Sequence, residues 1–429
     1  MSTNKVGRVY YVSNNGNDEN NGLTPESAWQ TFKNVDAESK ILQEGDQVLF
    51  ERGGIYRGSL RVVSGVTYSA YGDGKKPHLY GSLRNYAVPD LWEASDKEAI
   101  WKIQVGTMRD IGNIVFDHDY LEKWAMKRLT PSLKENFEFY HDKGAGVLYL
   151  YLDKGNPGEV YHDIQICSDE HILWGKNFMH DILIENLCVK YTGGHGICFW
   201  NGSKNITVRN CEIGCIGGSI LEGYLDCEVR YGNGFEVVDN CDDILVEDNY
   251  VYHCYDAGIT HQSSNPLGCK QRNITFRRNK IEYCNYNIEY YVDCKNGIIE
   301  DTVYEDNLLL YAGYGFGSVN RIGSDTSVLS HICCYARKIP CRNFIIRNNL
   351  FHKSLRKLLA IGGPNDVSNL GPIVMGNTYI LEKKASETEA AMIRNKDDEE
   401  ITLMGNTQKE LEEVVALLDQ KPRSVILER

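Results

Sequence analysis

Ile206-Thr-Val-Arg-Asn-Cys-Glu-Ile213, Ile244-Leu-Val-Glu-Asp-Asn-Tyr-Val251, Ile274-Thr-Phe-Arg-Arg-Asn-Lys-Ile281, Val303-Tyr-Glu-Asp-Asn-Leu-Leu309 and Phe344-Ile-Ile-Arg-Asn-Asn-Leu-Phe351 are copies of one pattern. Each alternates apolar and polar residues, passes through an Asn and resumes on an apolar residue. Ile182 to Val189 is an earlier copy with its Asn shifted, and Ile373 to Ile380 a degenerate last one. Asn249, Asn279, Asn307, Asn349 and Asn377 are spaced, by subtraction, 30, 28, 42 and 28 residues apart. Short β alternations at such a period, with no helical spacing, predict a solenoid of β-coils. A single coil cannot bury its own apolar residues, so coils stack about 4.8 Å apart. One Asn per coil then forms an amide ladder along the stack. The uneven spacings put loops on some coils, and such loops usually gather on the binding face.

Working outward, residues 1–90 read as an N-terminal cap and first coils. Residues 8 to 13 read as a strand, Ser27 to Val35 as a short helix and Gly45 to Phe50 as a strand. The cap covers an open coil edge that would otherwise invite pairing with other chains. Residues 91–165 break the rhythm with alternating strands at Trp101, Asn113, Glu138 and Val147, joined by Gly- and Asp-containing turns. They predict an inserted antiparallel β subdomain, with Trp124 either projecting toward the groove or packed. Coils fill 166–382. Residues 383–429 read as a partly helical C-terminal cap, with helices over Ser386 to Asn395 and Lys409 to Leu418. The expected fold class is all-β, a right-handed parallel β-helix.

Composition narrows the function. The chain has 46 Lys and Arg against 59 Asp and Glu, a formal charge of −13. That argues against a nucleic-acid partner, which needs a basic face. It also disfavours a polyanionic substrate unless a local groove is basic. The 14 cysteines show no paired C-x-x-C and no zinc spacing, so they are expected to fill coil interiors as small apolar residues, with no metal and no cofactor. The N-terminus has no apolar leader core and no stretch long enough to span a membrane. Free thiols without a leader predict a cytoplasmic protein. An oligomer is left open.

The chemistry sits in the columns after each Asn. Ile197, Phe235, Ile259, Ile288 and Phe316 are expected to share an inward column. Strand alternation then points Cys198, Glu236, Thr260, Glu289 and Gly317 outward. Two positions further lie Trp200, Val238, Gln262, Tyr291 and Val319. Glu236 and Glu289 are separated by one intervening coil, hence roughly 9 to 10 Å apart by two stacking repeats. Asp256 lies at the turn into the intermediate coil and is placed to approach Glu289 more closely. Glycoside hydrolysis commonly uses two carboxyls, about 5 to 5.5 Å apart for retention and about 6.5 to 9.5 Å for inversion, and this stacking allows either. Trp200, Tyr231, Tyr255, Tyr290 and Tyr291 are candidate sugar-stacking faces. Asn233, His261, Gln262 and Arg321 are candidate hydroxyl or substrate contacts, although alternation turns His261 inward.

The N-terminal opening, the insertion and the Tyr231-Gly-Asn-Gly234 to Tyr291 region resemble β-helix glycosidases. The likeness is to the β-xylosidase group of glycoside hydrolase family 120 and its relatives in family 141, over roughly residues 1 to 380. In that group an Asp nucleophile precedes a Glu acid/base, an order that Asp256 and Glu289 match. The resemblance implies a two-carboxylate retaining hydrolase acting on mostly neutral, xylose-containing oligosaccharides, with Glu236 assisting or serving as the acid; the expected cytoplasmic location favours short substrates and action from one end. Gly193-Gly-His-Gly196 is similar to a run in polygalacturonase-type hydrolases, but their Asp-Asp pair and Arg-Ile-Lys are missing. The alternative is a polysaccharide lyase using Lys270, Arg272 or Arg321 as base, with Asp239, Asp242 and Asp243 as calcium ligands. None of those bases falls in the acid column by sequence. A non-catalytic glycan-binding solenoid is the third reading.

Overall fold

The computed structural model describes residues 7–106, 109–118, 124–223, 229–294, 296–321, 326–334, 340–362, 371–394 and 399–429. Among them, three ten-stranded sheets run along a right-handed parallel β-helix. A coil visits the three faces in turn. Cys241–Glu247 lies on the first face, Tyr250–Cys254 on the second and Ala257–Ser263 on the third, before Lys270–Arg277 opens the next coil. Ile206, Ile244 and Ile274 are in register, as are Val208, Val246 and Phe276, and all are buried. Each such side chain contributes about 1.5–3 kcal/mol by leaving water.

The Asn residues form the ladder at the corner between the first two faces. Asn249 Nδ2 donates to Asn279 Oδ1, Asn279 to Asn307, Asn307 to Asn349 and Asn349 to Asn377, each at 2.9–3.0 Å. The same Oδ1 atoms accept the backbone N–H of the preceding Asn. Asn377 ends the ladder on Asp419 Oδ2 at 2.9 Å. In the earlier, shifted copy Asn186 instead takes a bond from Asn210 on the outside of the corner.

The third face keeps the expected register up to Ile288 and then departs from it. Ile197, Phe235, Ile259 and Ile288 stack inward, but the next member is Ile332, not Phe316. Outward, Cys198, Glu236, Thr260 and Glu289 are followed by Cys333 rather than Gly317. Phe316–Val319 is a short helix on an excursion from the coil, so Val319 leaves its column as well. The 42-residue spacing is the signature of this excursion.

The chain leaves the helix after the strand His78–Tyr80 and returns at Leu173–Lys176, which stacks directly on Leu60–Arg61. Between them stands a five-stranded sheet with its own core around Trp92, Phe116, Phe139 and Leu150. Its pairings are antiparallel apart from Met126–Lys127, which runs parallel to Glu138 and Phe139. Ser27 ends a single 3-10 turn, Pro25–Ser27, and residues 28–35 form no helix. Trp29 bridges Val12 and stacks on Tyr10 at 4.8 Å, and Phe32 and Val35 also fold onto the first coil. At the other end Gln408–Leu418 is helical, capped by Thr407, and buries Leu411, Val414, Val415 and Leu418. The expected helix over Ser386 to Asn395 is instead a strand, Glu389–Arg394, which pairs with Lys357–Gly362 and continues the third face. Asn395 lies outside the described residues. Among the described residues every cysteine is a free thiol, buried except for half-exposed Cys294.

Candidate active site

The outward column of the third face carries Glu236, Thr260 and Glu289 on successive strands. Two strand spacings separate the glutamates, about 9 to 10 Å. Glu236 and Glu289 are only 5% and 4% exposed. Each is held by neighbours on the same face. Glu236 Oε1 accepts from Trp200 Nε1 at 3.1 Å and Oε2 from Asn233 Nδ2 at 2.5 Å. Glu289 Oε2 accepts from Gln262 Nε2 at 2.7 Å and Thr260 Oγ1 at 3.1 Å.

Asp256 stands at the turn into Ala257–Ser263. Its N–H donates to Gly232 O, and its carbonyl accepts from the N–H groups of Asn285 and Tyr286, so the turn is fixed on both sides. Its carboxylate meets Arg321 Nη2 at 3.2 Å. Arg321 belongs to the excursion, which is tied down behind it. Buried Arg230 donates to Asn320 O at 2.6 Å, to Gly218 O and to Gly112 O. Tyr255 lies under both arginines, 4.5 Å from Arg230 and 5.7 Å from Arg321 to the ring centre, and its hydroxyl donates to Asn320 O.

The three carboxyls are electrostatically one cluster. Burial pushes Glu289 up to about 8, and the charges of Asp256 and, less strongly, Glu236 push the same way. Burial pushes Glu236 up to about 7, against its hydrogen bonds from Asn233 and Trp200. Burial and Glu236 also raise Asp256, but here the Arg321 guanidinium opposes them. Of the three, Asp256 is the one paired with a cation, so it is the one most readily ionised.

His195 lies against Glu236. Its Nδ1 accepts the N–H of Asn233 at 3.1 Å and lies 3.2 Å from Glu236 Oε2. Burial pushes the imidazole down to about 3, so the ring is neutral with its proton on Nε2. A neutral imidazole brings no positive charge to the Glu236 carboxyl, so nothing on this side offsets the burial that raises it. His171, His195 and Asn233 continue as a ladder in which each side chain accepts the next coil's N–H, ending on Ala257. Gly-His-Gly marked His195 in the sequence; Arg230 and Asn320 left no local signal.

The expected contacts divide. Trp200, Asn233 and Gln262 bond the acids, and Tyr291 lies beside Gln262 on the outer face. Tyr231 is half-buried, its hydroxyl on Asp169 and its ring 5.0 Å from His195. Tyr255 is fully buried and offers no face to a ligand. His261 and Tyr290 point into the coil, because strand alternation turns them opposite to Thr260 and Glu289. His261 is spent on Gln271 and Tyr304. Trp124 is packed against the cluster of Tyr80, Tyr191, Tyr255 and Phe316. Arg321, left out of the acid column by sequence, is brought to it by the excursion. Lys270 and Arg272 instead pair with Glu300 and Asp242. Asp239, Asp242 and Asp243 bond Ser263, Arg272 and Asn273, and among the described residues no three such side chains converge on an ion site.

No protein-family model matches the chain, and no curated protein matches it. Among solved structures it is similar to XylC in complex with xylose, at 12% identity, over 93% of this chain and 74% of that one, with a TM-score of 0.51. It is also similar to a glycoside hydrolase, at 9% identity over 98% and 96% of the two chains, TM-score 0.47. An alginate lyase from Paenibacillus sp. str. FPU-7 aligns at 11% identity over 93% and 96%, TM-score 0.45. These likenesses are of fold.

Proposed function

We propose that the protein is a glycoside hydrolase in which Asp256 is the nucleophile and Glu289 the acid/base. The observation that carries the reading is the division of charge between the two. Arg321 favours the ionised form of Asp256, whereas Glu289 is buried beside the carboxyls of Asp256 and Glu236 and keeps its proton to about 8. Carboxyls driven apart in this way take acid and nucleophile roles. Asp256 attacks the anomeric carbon as Glu289 protonates the departing glycosidic oxygen. Glu289 then takes a proton from water, which releases the sugar from Asp256. Glu236, held by Trp200 and Asn233 and with its pKa raised to about 7, assists by hydrogen bonding to the sugar. The near-closure of the glutamates fits a terminal sugar unit better than the middle of a long chain. The xylose held by XylC makes xylosides the first substrates to try.

Arg321 also motivates a second reading, a lyase in which it meets a uronate carboxylate. Absorbance at 235 nm separates the two, because only elimination leaves an unsaturated uronate. The hydrolase reading expects new reducing ends with no rise at 235 nm; a rise that tracks product would replace it with the lyase.

A further inference from the structure

Coil stacking brings cysteines together both inside the helix and at its surface. Tyr252 is in register with Glu282, so Cys254 stacks on Cys284, and both are sealed in the core. Cys269 and Cys294 stand instead at the corner where the third face gives way to the first. Cys269 closes the segment that follows Ala257–Ser263, and Cys294 comes two residues after Tyr286–Val292 on the next coil. This corner meets water. Leu267 is 92% exposed, Cys294 is half-exposed and Cys269 is 5% exposed.

Backbone register places the two thiols side by side. Lys270 pairs with Ile298, and the Ile298 N–H donates to Cys269 O at 3.1 Å, so Cys269 lies alongside Gly297. The Gly297 N–H in turn donates to Cys294 O at 3.0 Å, which folds Cys294 back over the glycine. A Cβ on Gly297 would come within 2.9 Å of Cys294 Sγ. The Cys294 thiol thus fills the place of the missing side chain, about one strand spacing of 4.8 Å from the Cys269 position. Side-chain rotation closes such a gap to the roughly 2.05 Å of a disulfide. Burial pushes the Cys269 thiol up to about 12, against its bond with Ser263, and the neighbouring Cys294 thiol pushes the same way.

We propose that Cys269 and Cys294 are a redox-active thiol pair, converted to a disulfide by a small-molecule disulfide such as oxidised glutathione. Cys294, the more exposed, reacts first. Its thiolate attacks one glutathione sulfur, a mixed disulfide forms and one reduced glutathione leaves. Cys269 then gives up its proton and attacks Cys294 Sγ, which expels the second glutathione. Two protein thiols are oxidised, one glutathione disulfide is reduced, and the two protons pass to the departing sulfurs. The raised pKa of Cys269 makes the second step the slower one. The new bond ties together the exits of the strands that carry Gln262 and Glu289, whatever chemistry the acids perform.

The test is incubation of the folded, reduced protein with oxidised glutathione, read by intact mass and by non-reducing peptide mapping with fragmentation. Wild type should lose two hydrogens and hold a Cys269–Cys294 bond, and dithiothreitol should return both thiols. Cys269→Ser should instead accumulate one glutathione on Cys294. Cys294→Ser should leave Cys269 modified about tenfold or more slowly than Cys294 is in wild type. Circular dichroism checks that both variants fold, and the wild-type map needs no substitution. A lasting glutathione adduct on Cys294 of wild type, a bond between other cysteines, or both thiols left unmodified would overturn the pair.

Discussion

Arg321 Nη2 stands 3.2 Å from Asp256 Oδ1, although a further coil of sequence lies between the two residues. The pair joins the excursion that carries Phe316–Val319 to the turn that opens the intermediate coil. It also separates Asp256 from Glu236 and Glu289, which have no Lys or Arg ion pair among the described residues. Arg321→Gln removes the one charge that opposes the raised pKa of Asp256. The aspartate then ionises at higher pH, and the acid limb of kcat/KM moves upward. Arg321→Lys should restore part of the shift. A pH–rate profile with an unmoved acid limb would detach Arg321 from Asp256 ionisation.

Glu289 predicts a pH-dependent stability. Its pKa rises from the ordinary 4.5 to about 8 in the folded chain. The unfolded chain loses this proton near pH 4.5 and the folded chain only near 8. The contribution is therefore fully present below pH 4.5 and is lost as pH rises to about 8. Glu289→Gln escapes that loss. Its stability should match wild type at pH 4 and exceed it by on the order of 1 kcal/mol or more at pH 8, read from reversible denaturant melts at the two pH values. A gain of equal size at both would assign it to packing.

The sequence carried the solenoid because each coil repeats the same requirement. An inward aliphatic column and a buried Asn both leave a local pattern, so the ladder from Asn249 to Asn377 and the Glu236–Thr260–Glu289 register were legible. Features made by tertiary contact were not. Phe316 alternates like a strand residue, yet the excursion takes it out of the column and lets Ile332 replace it. Glu389–Arg394 has helical spacing, but pairing with Lys357–Gly362 overrides it. Arg321 meets Asp256 from a distant part of the chain, and the adjacent Asn320 is held by Arg230, 90 residues away. Tyr255, Tyr290 and His261 show the limit of reading residue type: aromatic and polar side chains suited to a sugar are turned inward by alternation or covered by arginines.

The Asn ladder should be a main source of stability. Asn307 bonds Asn279 above, Asn349 below and Phe276 O across the corner. Asn307→Ala strands the backbone N–H of Asn279 and the amide of its neighbour inside the coil. The expected cost is roughly 2–4 kcal/mol, seen as a lower thermal midpoint. A loss below about 0.5 kcal/mol would mean that water replaces the amide.

The most direct test of the account is the hydrolysis of a panel of nitrophenyl glycosides, xylosides first, by wild type, Asp256→Asn and Glu289→Gln. The account predicts turnover of at least one glycoside by wild type and a loss of roughly 10²–10⁴-fold in kcat/KM in each variant, with both variants folded. Undiminished turnover in either folded variant would contradict it.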